Sequence, residues 1–487
     1  MSRTNIAPGD LRAWLKAVEK EKALLRVTGA DWNLEIGTLT EINNLRDEPE
    51  VMLFEEINGY NTGRVLTSAN SSVKTLGITL GIEAESNRAL VRALRGGRMT
   101  QWFELARQNT FSWVESGPVA THVDKGKDVN LERFPTPFWH TDDGGRYIGT
   151  GCAVITQDPE TGEYNAGAYR VMVVNAREMT VHMAAPSRHG YQHRMKYQAR
   201  GERCPIVVSV GHDPLFAVLA GLEVPEGVFE LDVAGAIAGQ PVRMLKGEVT
   251  GLPIPADADL VIEGWLTEKE AMEGPFGEFT GYYAGGQRPC PVIEVEAVYY
   301  QDNPIILGSP PGRPPHDFSY SFTVLRSALI HDQLELAGIP GVQAVWTDEV
   351  GSGRLLVVVA IKQRYMGHSR QAGFVASQCQ AGAYFGRYVI VVDDDIDPTN
   401  LKEVIWAMAT RSDPAMDIEI IRKTWGSRID PLYCTYPPGT TYNSRAIIDA
   451  CRPFEHLATF PRVAASSSAE LERARKKWQH LWKEHRH

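Results

Sequence analysis

Apolar positions in the first 115 residues follow helical spacing in some segments and strand spacing in others. Apolar residues recur every three or four positions between Asp10 and about Leu25, which predicts a helix. Shorter apolar runs at 51–57 and 64–69 predict strands, and helical spacing returns at 87–94. The pattern therefore predicts an N-terminal α/β domain over residues 1–115.

The next stretch, from about residue 146 to 305, contains many short apolar runs that are broken by Gly and Pro. The strand candidates are the runs at 168–174, 205–210, 260–266 and 291–300. So many short strands are typical of a barrel-like β domain. With the Pro-rich segment that precedes it, this domain is expected to cover residues 116–305.

Helices and strands alternate again from residue 306 to 466. The predicted helices cover 322–337, 372–384 and 401–410, and the predicted strands cover 355–361 and 388–392. This alternation is typical of βαβ units and predicts a C-terminal α/β domain. The tail, residues 467–487, has Leu and Trp at helical spacing and predicts a separate amphipathic helix.

Composition excludes several classes of protein. The 487 residues include 50 Lys and Arg against 60 Asp and Glu, and the net charge of −10 argues against nucleic acid or an anionic membrane as a partner. No apolar stretch is long enough to span a bilayer, and the first residues lack the apolar core of a secretory signal. The six cysteines lack Cys-x-x-Cys spacing, so reduced thiols and a cytoplasmic location are expected. The tail helix is expected to dock on its own chain or on a neighbouring subunit.

The segment from Glu273 to Tyr283 carries two carboxylates among glycines and a proline, and it begins Glu-Gly-Pro-Phe-Gly-Glu. Because Glu273 and Glu278 are five residues apart, neither a helix nor a strand would place them on one face. The Gly and Pro residues between them bend the backbone, and a bend can direct both carboxylates to one place. Their pKa values would then move apart. The alternative is a surface loop with two solvated glutamates.

Residues 164–175 contain a second candidate. Arg170 lies within an apolar run that predicts a strand, where an unpaired guanidinium would be costly. It therefore needs a carboxylate, for which the glutamate pair is the obvious source, unless the strand is at an edge and Arg170 faces solvent. Asn165 and Arg170 would point to opposite faces of this strand, and Gly167 would let a ligand approach the backbone.

Other polar segments are less specific. His189 and His193 are four residues apart and could bind one metal ion from a helix face, although such pairs are usually incidental. Glu230, in Pro-Glu-Gly-Val-Phe-Glu, could be a metal ligand or an acidic residue at a helix start. The acidic run 393–397 lacks the glycine and the distal glutamate of a calcium loop and predicts a strand-to-helix turn.

Taken together, these segments resemble the UbiD family of prenylated-flavin-dependent (de)carboxylases. This family includes the 3-octaprenyl-4-hydroxybenzoate carboxy-lyases and the ferulic acid decarboxylases. The resemblance covers most of the chain, and its most specific motif is the Glu-Gly-Pro-Phe-Gly-Glu block. The matching segments, in order, are Asp143–Tyr147, Asn165 to Arg170, His189, Pro225–Glu230, Glu273–Glu278 and 391–407.

The resemblance implies a mixed α/β fold with a central split β-barrel of the flavin-reductase type, flanked by α/β regions, in a homodimer or a higher homo-oligomer. It also implies roles for residues. The catalytic network would be Arg170, Glu273 and Glu278. The ligands of Mn²⁺ or Mg²⁺ at the phosphate of prenylated FMN would be Asn165, His189 and Glu230, with K⁺ as a further ion. The flavin would be lined by Gly167, Ala168, Tyr169 and Arg170, with Arg188 beside its phosphate.

The implied reaction is the reversible, non-oxidative decarboxylation of an aromatic, heteroaromatic or α,β-unsaturated carboxylic acid. Loss of CO₂ from an sp² carbon leaves an anion that no side chain can delocalise, so a cofactor must act as electron sink. In the family the substrate bonds covalently to the prenylated flavin. Glu278 would protonate the carbon after CO₂ leaves, Arg170 would hold the carboxylate, and Glu273 would orient Arg170 and share its proton equilibrium. A flavin prenyltransferase would supply the cofactor without a stable complex.

Three alternatives remain open at this point. The chain could be an FMN-dependent oxidoreductase on the same barrel, a non-catalytic subunit of a multi-component decarboxylase or, from the glutamate pair alone, a glycosidase. The substrate is not determined by the sequence. Phe279 and residues 182–185 are expected to face the pocket, where two alanines would leave room for a flat ring system such as an indole, hydroxybenzoate or phenazine acid.

Overall fold

The computed structural model describes residue 3 and residues 6–183, 186–437 and 439–482. The N-terminal region comprises α1 (Leu11–Lys20), β1 (Leu24–Thr28), α2 (Glu35–Asn44), β2 (Val51–Glu55), β3 (Arg64–Thr67), α3 (Val73–Leu80), α4 (Asn87–Leu94), α5 (Arg98–Gln108) and β4 (Ser112–Trp113). The first helix is shorter than predicted, because Lys22 takes a left-handed backbone conformation and Leu24 begins a strand. β1 pairs in parallel with β2, and β2 pairs antiparallel with β3.

The central region is dominated by strands. It comprises β5 (His122–Lys125), β6 (Arg146–Gly149), β7 (Ala153–Gln157), β8 (Tyr164–Gly167), β9 (Val171–Asn175), β10 (Glu178–Val181), α6 (His189–Ala199), β11 (Cys204–Gly211), α7 (Pro214–Ala220), α8 (Glu230–Ala238), β12 (Arg243–Lys246), β13 (Pro253–Pro255), β14 (Leu260–Glu273), β15 (Arg288–Tyr300) and β16 (Ile305–Leu307). One curled sheet has the order β6-β9-β10-β15-β14-β11-β7-β8, and β5 pairs with β15. The prediction of a split barrel in a mixed α/β fold is confirmed.

This sheet is covered on both faces. All eight residues of β11 are buried, and their side chains alternate between two hydrophobic cores. Val207 packs in the core that also contains α7 and α8, whereas Ile206 and Val208 pack on the opposite side. Successive side chains of a strand point to opposite faces, so a central strand with two buried faces needs a continuous apolar sequence.

The prediction of a strand over residues 168–174 is wrong for its first three residues. β8 ends at Gly167 and β9 begins at Val171, so Arg170 lies in the connection between them. The two strands belong to distant parts of the sheet, because β8 pairs with β7 while β9 pairs with β6 and β10. The prediction that Asn165 and Arg170 point to opposite faces of one strand is therefore wrong as well.

The C-terminal region comprises α9 (Asp317–Leu336), β17 (Val342–Thr347), β18 (Leu356–Ile361), α10 (His368–Gln378), α11 (Gln380–Ala383), β19 (Tyr388–Asp393), α12 (Leu401–Arg411), β20 (Ile418–Trp425), β21 (Tyr442–Ala450) and α13 (Ser468–Lys477). Its sheet has the order β17-β18-β19-β21-β20. β18, β19 and β21 are parallel to one another, as βαβ units require. The smaller sheets are β1-β2-β3-β16 and β13-β12-β4.

The tail helix α13 does not pack on the rest of its own chain as far as the chain is described. Leu471, Trp478 and Leu481, which form the predicted apolar stripe, are 46%, 43% and 53% exposed. Docking on the same chain is therefore wrong for this part of the tail, and docking on a neighbouring subunit stays a prediction. None of the helices in the described ranges has the length and apolar character that crossing a membrane requires.

Candidate active site

Arg170 is ion-paired with both glutamates of the Gly- and Pro-rich loop. Its Nε donates to Glu273 Oε1 at 2.7 Å and its Nη2 donates to Glu273 Oε2 at 2.9 Å, while Nη1 donates to Glu278 Oε1 at 2.9 Å. The side chains of Arg170 and Glu278 are 11% and 15% exposed, and that of Glu273 is fully buried. The structure thus brings the three predicted catalytic residues together. Arg170 makes a bidentate contact with Glu273 and a single hydrogen bond to Glu278.

The loop geometry explains how two glutamates five residues apart reach one guanidinium. Glu273 is the last residue of β14. Gly274 follows with a φ of 86°, a backbone conformation that residues other than glycine rarely adopt. The chain turns there and brings Glu278 back to Arg170. Tyr147, on β6, donates its hydroxyl to Glu273 Oε1 at 2.8 Å and fixes the carboxylate from another side.

The two carboxylates differ in their affinity for protons. Burial by itself raises the pKa of Glu273, but the hydrogen bonds and the charge of Arg170 lower it below the usual value. Burial raises the pKa of Glu278 above its usual value, and Arg170 opposes this only in part. Glu273 is therefore the permanent counter-ion of Arg170, whereas Glu278 is the carboxyl group that is more easily protonated.

Further side chains complete the surroundings of Glu273. His182 Nδ1 and Cys290 Sγ each lie 3.8 Å from Glu273 Oε2. Burial, followed by the charge of Arg170, lowers the pKa of His182 to about 4, so this imidazole is neutral at pH 7. The rings of Tyr147 and Phe276 stack at 3.8 Å. The sequence assigned no role to Tyr147, Phe276 or Cys290, although a buried tyrosine in a strand does need a hydrogen-bond partner.

A close backbone contact holds the glutamate loop in place. The N–H of Gly144 donates to the carbonyl of Pro275 at 2.6 Å, and a Cβ on Gly144 would lie 2.0 Å from the carbonyl oxygen of Gly274. We expect Gly144→Ala to displace the loop and to lower kcat about 100-fold or more, because misplacement by 1 Å is enough for such a loss. Steady-state turnover measures this effect. Gly286→Ala is the control, since a Cβ there meets nothing within 4 Å, and equal activity of the two variants would contradict the prediction.

The three predicted metal ligands lie on β8 and on two helices that contact it, with His189 at the start of α6 and Glu230 at the start of α8. His189 Nδ1 lies 3.2 Å from Asn165 Oδ1, and Glu230 Oε2 accepts from the N–H of Ala166 at 2.7 Å. Glu230 is 6% exposed, and burial raises its pKa to about 7. It has no ion-pair partner among the described residues, and the buried Nδ2 of Asn165 has no hydrogen-bond partner there. A buried carboxylate in this state is stabilised by a cation, so the donor set fits a divalent ion.

Ala168, one of the predicted flavin-lining residues, borders an open cleft. Gly167 leaves room for the buried ring of Tyr169, because a Cβ there would lie 2.3 Å from Cε2 of that ring. The Tyr169 hydroxyl accepts from the N–H of Gly190 at 3.1 Å, and Ala168 is exposed to the cleft. The cleft has a volume of about 40 Å³ and is lined by Asn70, Thr150, Gly151, Cys152, Ala168 and Phe318, among others.

The structure also places three further residues that the sequence analysis singled out, namely Arg188, His193 and Phe279. Arg188 is exposed directly before α6, where free N–H groups also attract anions. His193 is buried and its Nδ1 lies 2.9 Å from Thr156 Oγ1, which makes it a core residue rather than a second ligand beside His189. Phe279 packs against Phe385. Of the segment 182–185, which was expected to face the pocket, residues 184 and 185 lie outside the described residues.

The acidic run after β19 forms the predicted turn. Arg411 donates Nη1 to Asp395 Oδ1 at 2.9 Å and Nη2 to Asp395 Oδ2 at 2.8 Å. Arg452 donates its Nε to Asp393 Oδ2 at 2.9 Å. These carboxylates are neutralised by arginines, so the turn joins β19 to α12 and has the structural role that the sequence indicated.

Known proteins are similar to this chain over nearly its whole length. Phenolic acid decarboxylase of Streptomyces sp. (strain D7) is 31% identical over 459 residues, which cover 92% of this chain and 93% of that protein. Pyrrole-2-carboxylic acid decarboxylase of Pseudomonas aeruginosa is 30% identical over 425 residues and 84% of each chain.

Solved structures of one enzyme have the same fold. The UbiD-class enzyme HmfF from Pelotomaculum thermopropionicum, in complex with FMN, is 26% identical, with a TM-score of 0.81 over 94% of this chain and 98% of that one. An evolved dimeric form of the same enzyme, in complex with prFMN, is 26% identical, with a TM-score of 0.77 over 95% and 99%.

Family models match two consecutive segments. Residues 112–314 match the Rift-related domain of 3-octaprenyl-4-hydroxybenzoate carboxy-lyase, and residues 319–450 match the C-terminal domain of the same family. Together they account for more than half of the chain. The protein therefore belongs to the UbiD family, as the ordered motifs of its sequence had indicated.

Proposed function

We propose that this protein catalyses the non-oxidative decarboxylation of an aromatic or heteroaromatic carboxylic acid, with prenylated FMN as cofactor. The observation that carries the proposal is the bridge formed by Arg170 between Glu273 and Glu278. It combines a fixed cation with one ionised and one more easily protonated carboxyl group. Membership of a family of decarboxylases and the two relatives named for phenolic and pyrrole acids support the substrate class.

Arg170 has hydrogen-bond capacity left for a substrate. A guanidinium carries five N–H donors, and three of them are directed to the two glutamates. The other two, one on each terminal nitrogen, are free to hold a substrate carboxylate. Because Glu273 fixes the guanidinium through two contacts, the substrate carboxylate would be oriented as well as bound.

Glu278 is the proposed proton donor. Its raised pKa keeps a larger share of it protonated near neutral pH than an ordinary glutamate. It reaches the cleft from the tip of a loop and has a single contact with Arg170, so its second oxygen remains available to the substrate carbon. The prenylated flavin, when bound, supplies the electron sink for the electron pair that CO₂ leaves behind. Glu273 keeps Arg170 charged and in position throughout.

A divalent metal ion, Mn²⁺ or Mg²⁺, is proposed at Asn165, His189 and Glu230, where it would neutralise the flavin phosphate. We expect Glu230→Gln to lower the affinity for FMN at least about tenfold in the presence of Mn²⁺, since changes at metal sites commonly cost 10- to 100-fold. The amide still accepts from Ala166, so the fold is retained. Titration of FMN fluorescence with and without Mn²⁺ measures the effect. The control is Glu226→Gln, at an exposed position of the same segment, and a Glu230→Gln variant with unchanged Mn²⁺-dependent binding would contradict the proposed ligand.

The test of the proposed function is CO₂ release under anaerobic conditions by the chain reconstituted with prenylated FMN. A panel of aryl and heteroaryl acids is offered, and protein loaded with FMN is the comparison. Turnover that requires the prenylated cofactor supports the proposal. Flavin reduction or oxidation without CO₂ release would instead indicate an FMN-dependent oxidoreductase, and full cofactor loading without any turnover would indicate a non-catalytic subunit.

The remaining proposals concern the supply of the cofactor, a further ion, the oligomeric state and the location of the enzyme. A flavin prenyltransferase would supply the cofactor by transient transfer, and K⁺ would be a further ion at the phosphate. A homodimer or higher homo-oligomer is proposed, and the exposed apolar stripe of α13 supports a contact between subunits. The six cysteines, none of which has a disulfide partner, support a cytoplasmic location.

A further inference from the structure

Arg354 is a buried cation without an anionic partner. It lies in the connection between β17 and β18 and is 7% exposed. No carboxylate within the described ranges forms an ion pair with it, and its buried Nη1 has no hydrogen-bond partner there. Arg170 and Arg411, by contrast, are ion-paired with Glu273, Glu278 and Asp395. A guanidinium in this state costs free energy unless a ligand supplies the missing acceptor.

Aromatic rings hold Arg354 in a defined position. Its Cζ lies 5.8 Å from the ring centre of Phe279, 5.7 Å from that of Phe322 and 5.3 Å from that of Tyr384. Ring faces attract a cation, but they accept no conventional hydrogen bond from its N–H groups. The three rings therefore position the guanidinium and leave its Nη1 donor unused.

The surroundings add positive rather than negative charge. Arg326, on α9, donates to the carbonyl of Ala381, and its own buried Nε is without a partner. Burial lowers the pKa of Arg354 well below its usual value, and the charges of Arg326 and Arg188 lower it further. The charge of Glu223 opposes them. The charge of Arg326 acts on Arg354, and each of the two guanidinium groups has an unused donor, so their surroundings favour an anion.

The position of Arg354 connects it to the candidate active site. Phe279, one of its three rings, directly follows Glu278 in the loop. Phe322, another, lines the cleft that Ala168 borders. Arg188, whose charge acts on Arg354, directly precedes the proposed metal ligand His189. Arg354 thus belongs to the C-terminal region but contacts a ring that lines the cleft where flavin and substrate are proposed to bind.

We propose that Arg354 binds an oxyanion, a carboxylate or a phosphate, of a ligand held in this cleft, as a second anion site besides Arg170. Two groups are candidates for this oxyanion. One is a second acidic group on the aromatic substrate, and the other is the phosphate of the flavin. The identity of these ligands rests on the proposed function, whereas the binding of an oxyanion by Arg354 is tested without turnover.

The variants are Arg354→Met, which keeps length and apolar contact with the rings, and Arg354→Lys, which keeps the charge. Arg203→Met is the matched control, because Arg203 lies 5.0 Å from the ring centre of Trp265 but at an exposed site. Ligand-free Arg354→Met is expected to unfold at the same temperature as the parent chain or at a higher one, since an unpaired buried charge is removed. A structural role would lower that temperature.

The phosphate arm compares FMN with riboflavin, which lacks the phosphate, by flavin fluorescence titration in the presence of Mn²⁺. The substrate arm compares benzene dicarboxylates with benzoate as ligands of the FMN-loaded protein. If Arg354 holds the phosphate, Arg354→Met reduces the preference for FMN over riboflavin at least about tenfold, as expected for a charged hydrogen bond. If it holds a substrate group, the preference for a dicarboxylate falls by the same factor.

The proposal is supported if Arg354→Met reduces either preference, if Arg354→Lys restores that preference in part, and if Arg203→Met leaves it unchanged. The preference that falls identifies the source of the oxyanion. The proposal is wrong if Arg354→Met changes both preferences less than about twofold, whatever its thermal stability. Because neither arm measures CO₂, a failure of the proposed decarboxylase activity would not affect this result.

Discussion

Replacing Glu278 with glutamine is expected to abolish decarboxylation while flavin uptake stays intact. Glutamine keeps an oxygen that accepts from Arg170 Nη1, but it has no acidic proton to give to the carbon that loses CO₂. General acid catalysis contributes about 10²- to 10⁴-fold to a rate, so kcat should fall by that factor. CO₂ release under steady-state conditions measures the loss, and the flavin absorbance of the same sample measures cofactor loading.

The control for this variant is Glu270→Gln, at an exposed position of the same hairpin. It removes an identical carboxylate without touching Arg170, and normal turnover is expected. A Glu278→Gln enzyme with kcat within about threefold of the parent would show that another group donates the proton. His182 would then be the next candidate, since it is a titratable group whose Nδ1 lies 3.8 Å from Glu273 Oε2.

Replacing Arg170 has the second large effect, and it acts on stability as well as on activity. Arg170→Met leaves Glu273 fully buried without its counter-ion. Breaking a buried pair in this way typically costs about 3–5 kcal/mol, and we expect a loss of that size in the free energy of unfolding at pH 7. Turnover should fall below detection, because no other described cation contacts the two glutamates. Urea denaturation and CO₂ release measure the two effects.

The stability effect of Arg170→Met has a defined pH dependence. Arg170 lowers the pKa of Glu273 in the folded state, so the stabilisation by the pair is present above the unfolded pKa, about 4.3. It is lost as the pH falls through the folded pKa. The difference in unfolding free energy between parent and variant should therefore be larger at pH 7 than at pH 4. Arg170→Lys, which keeps the charge but not the two-pronged contact, should lie between them. Equal stability of all three proteins at pH 7 would rule out a contribution of the ion pair.

Much of the fold was predictable because it depends on local pattern. The helix Asn87–Leu94 has the bounds that the spacing of its apolar residues indicated, and the strand at 388–393 agrees within one residue. The prediction failed where a single backbone conformation decides the outcome. Lys22 ends the first helix early by turning the chain, and the chain leaves the sheet between Gly167 and Val171 although the sequence there remains mostly apolar.

The candidate site shows the same division. Glu273, Glu278 and Arg170 were identifiable because charged residues in an apolar or tightly bent segment need a reason. The contributions of Cys290 and Arg354 were not identifiable, because each comes from another part of the chain and carries no local pattern. Tyr147 lies in a segment that matches the family, but its hydrogen bond to Glu273 became visible only in the fold.

The sequence by itself determined the mixed α/β fold class, several of the helices and strands, the membership of the UbiD family and the residue types available for chemistry. These properties follow from the spacing of side chains and from motifs within a few residues. The tertiary structure decided which charges meet, and hence that Glu273 loses its proton readily and that Glu278 keeps it longer. It also decided that no carboxylate of the described residues forms an ion pair with Arg354. The physical reason is that burial and pairing, which set the energy of a charge, depend on neighbours that are distant in the chain.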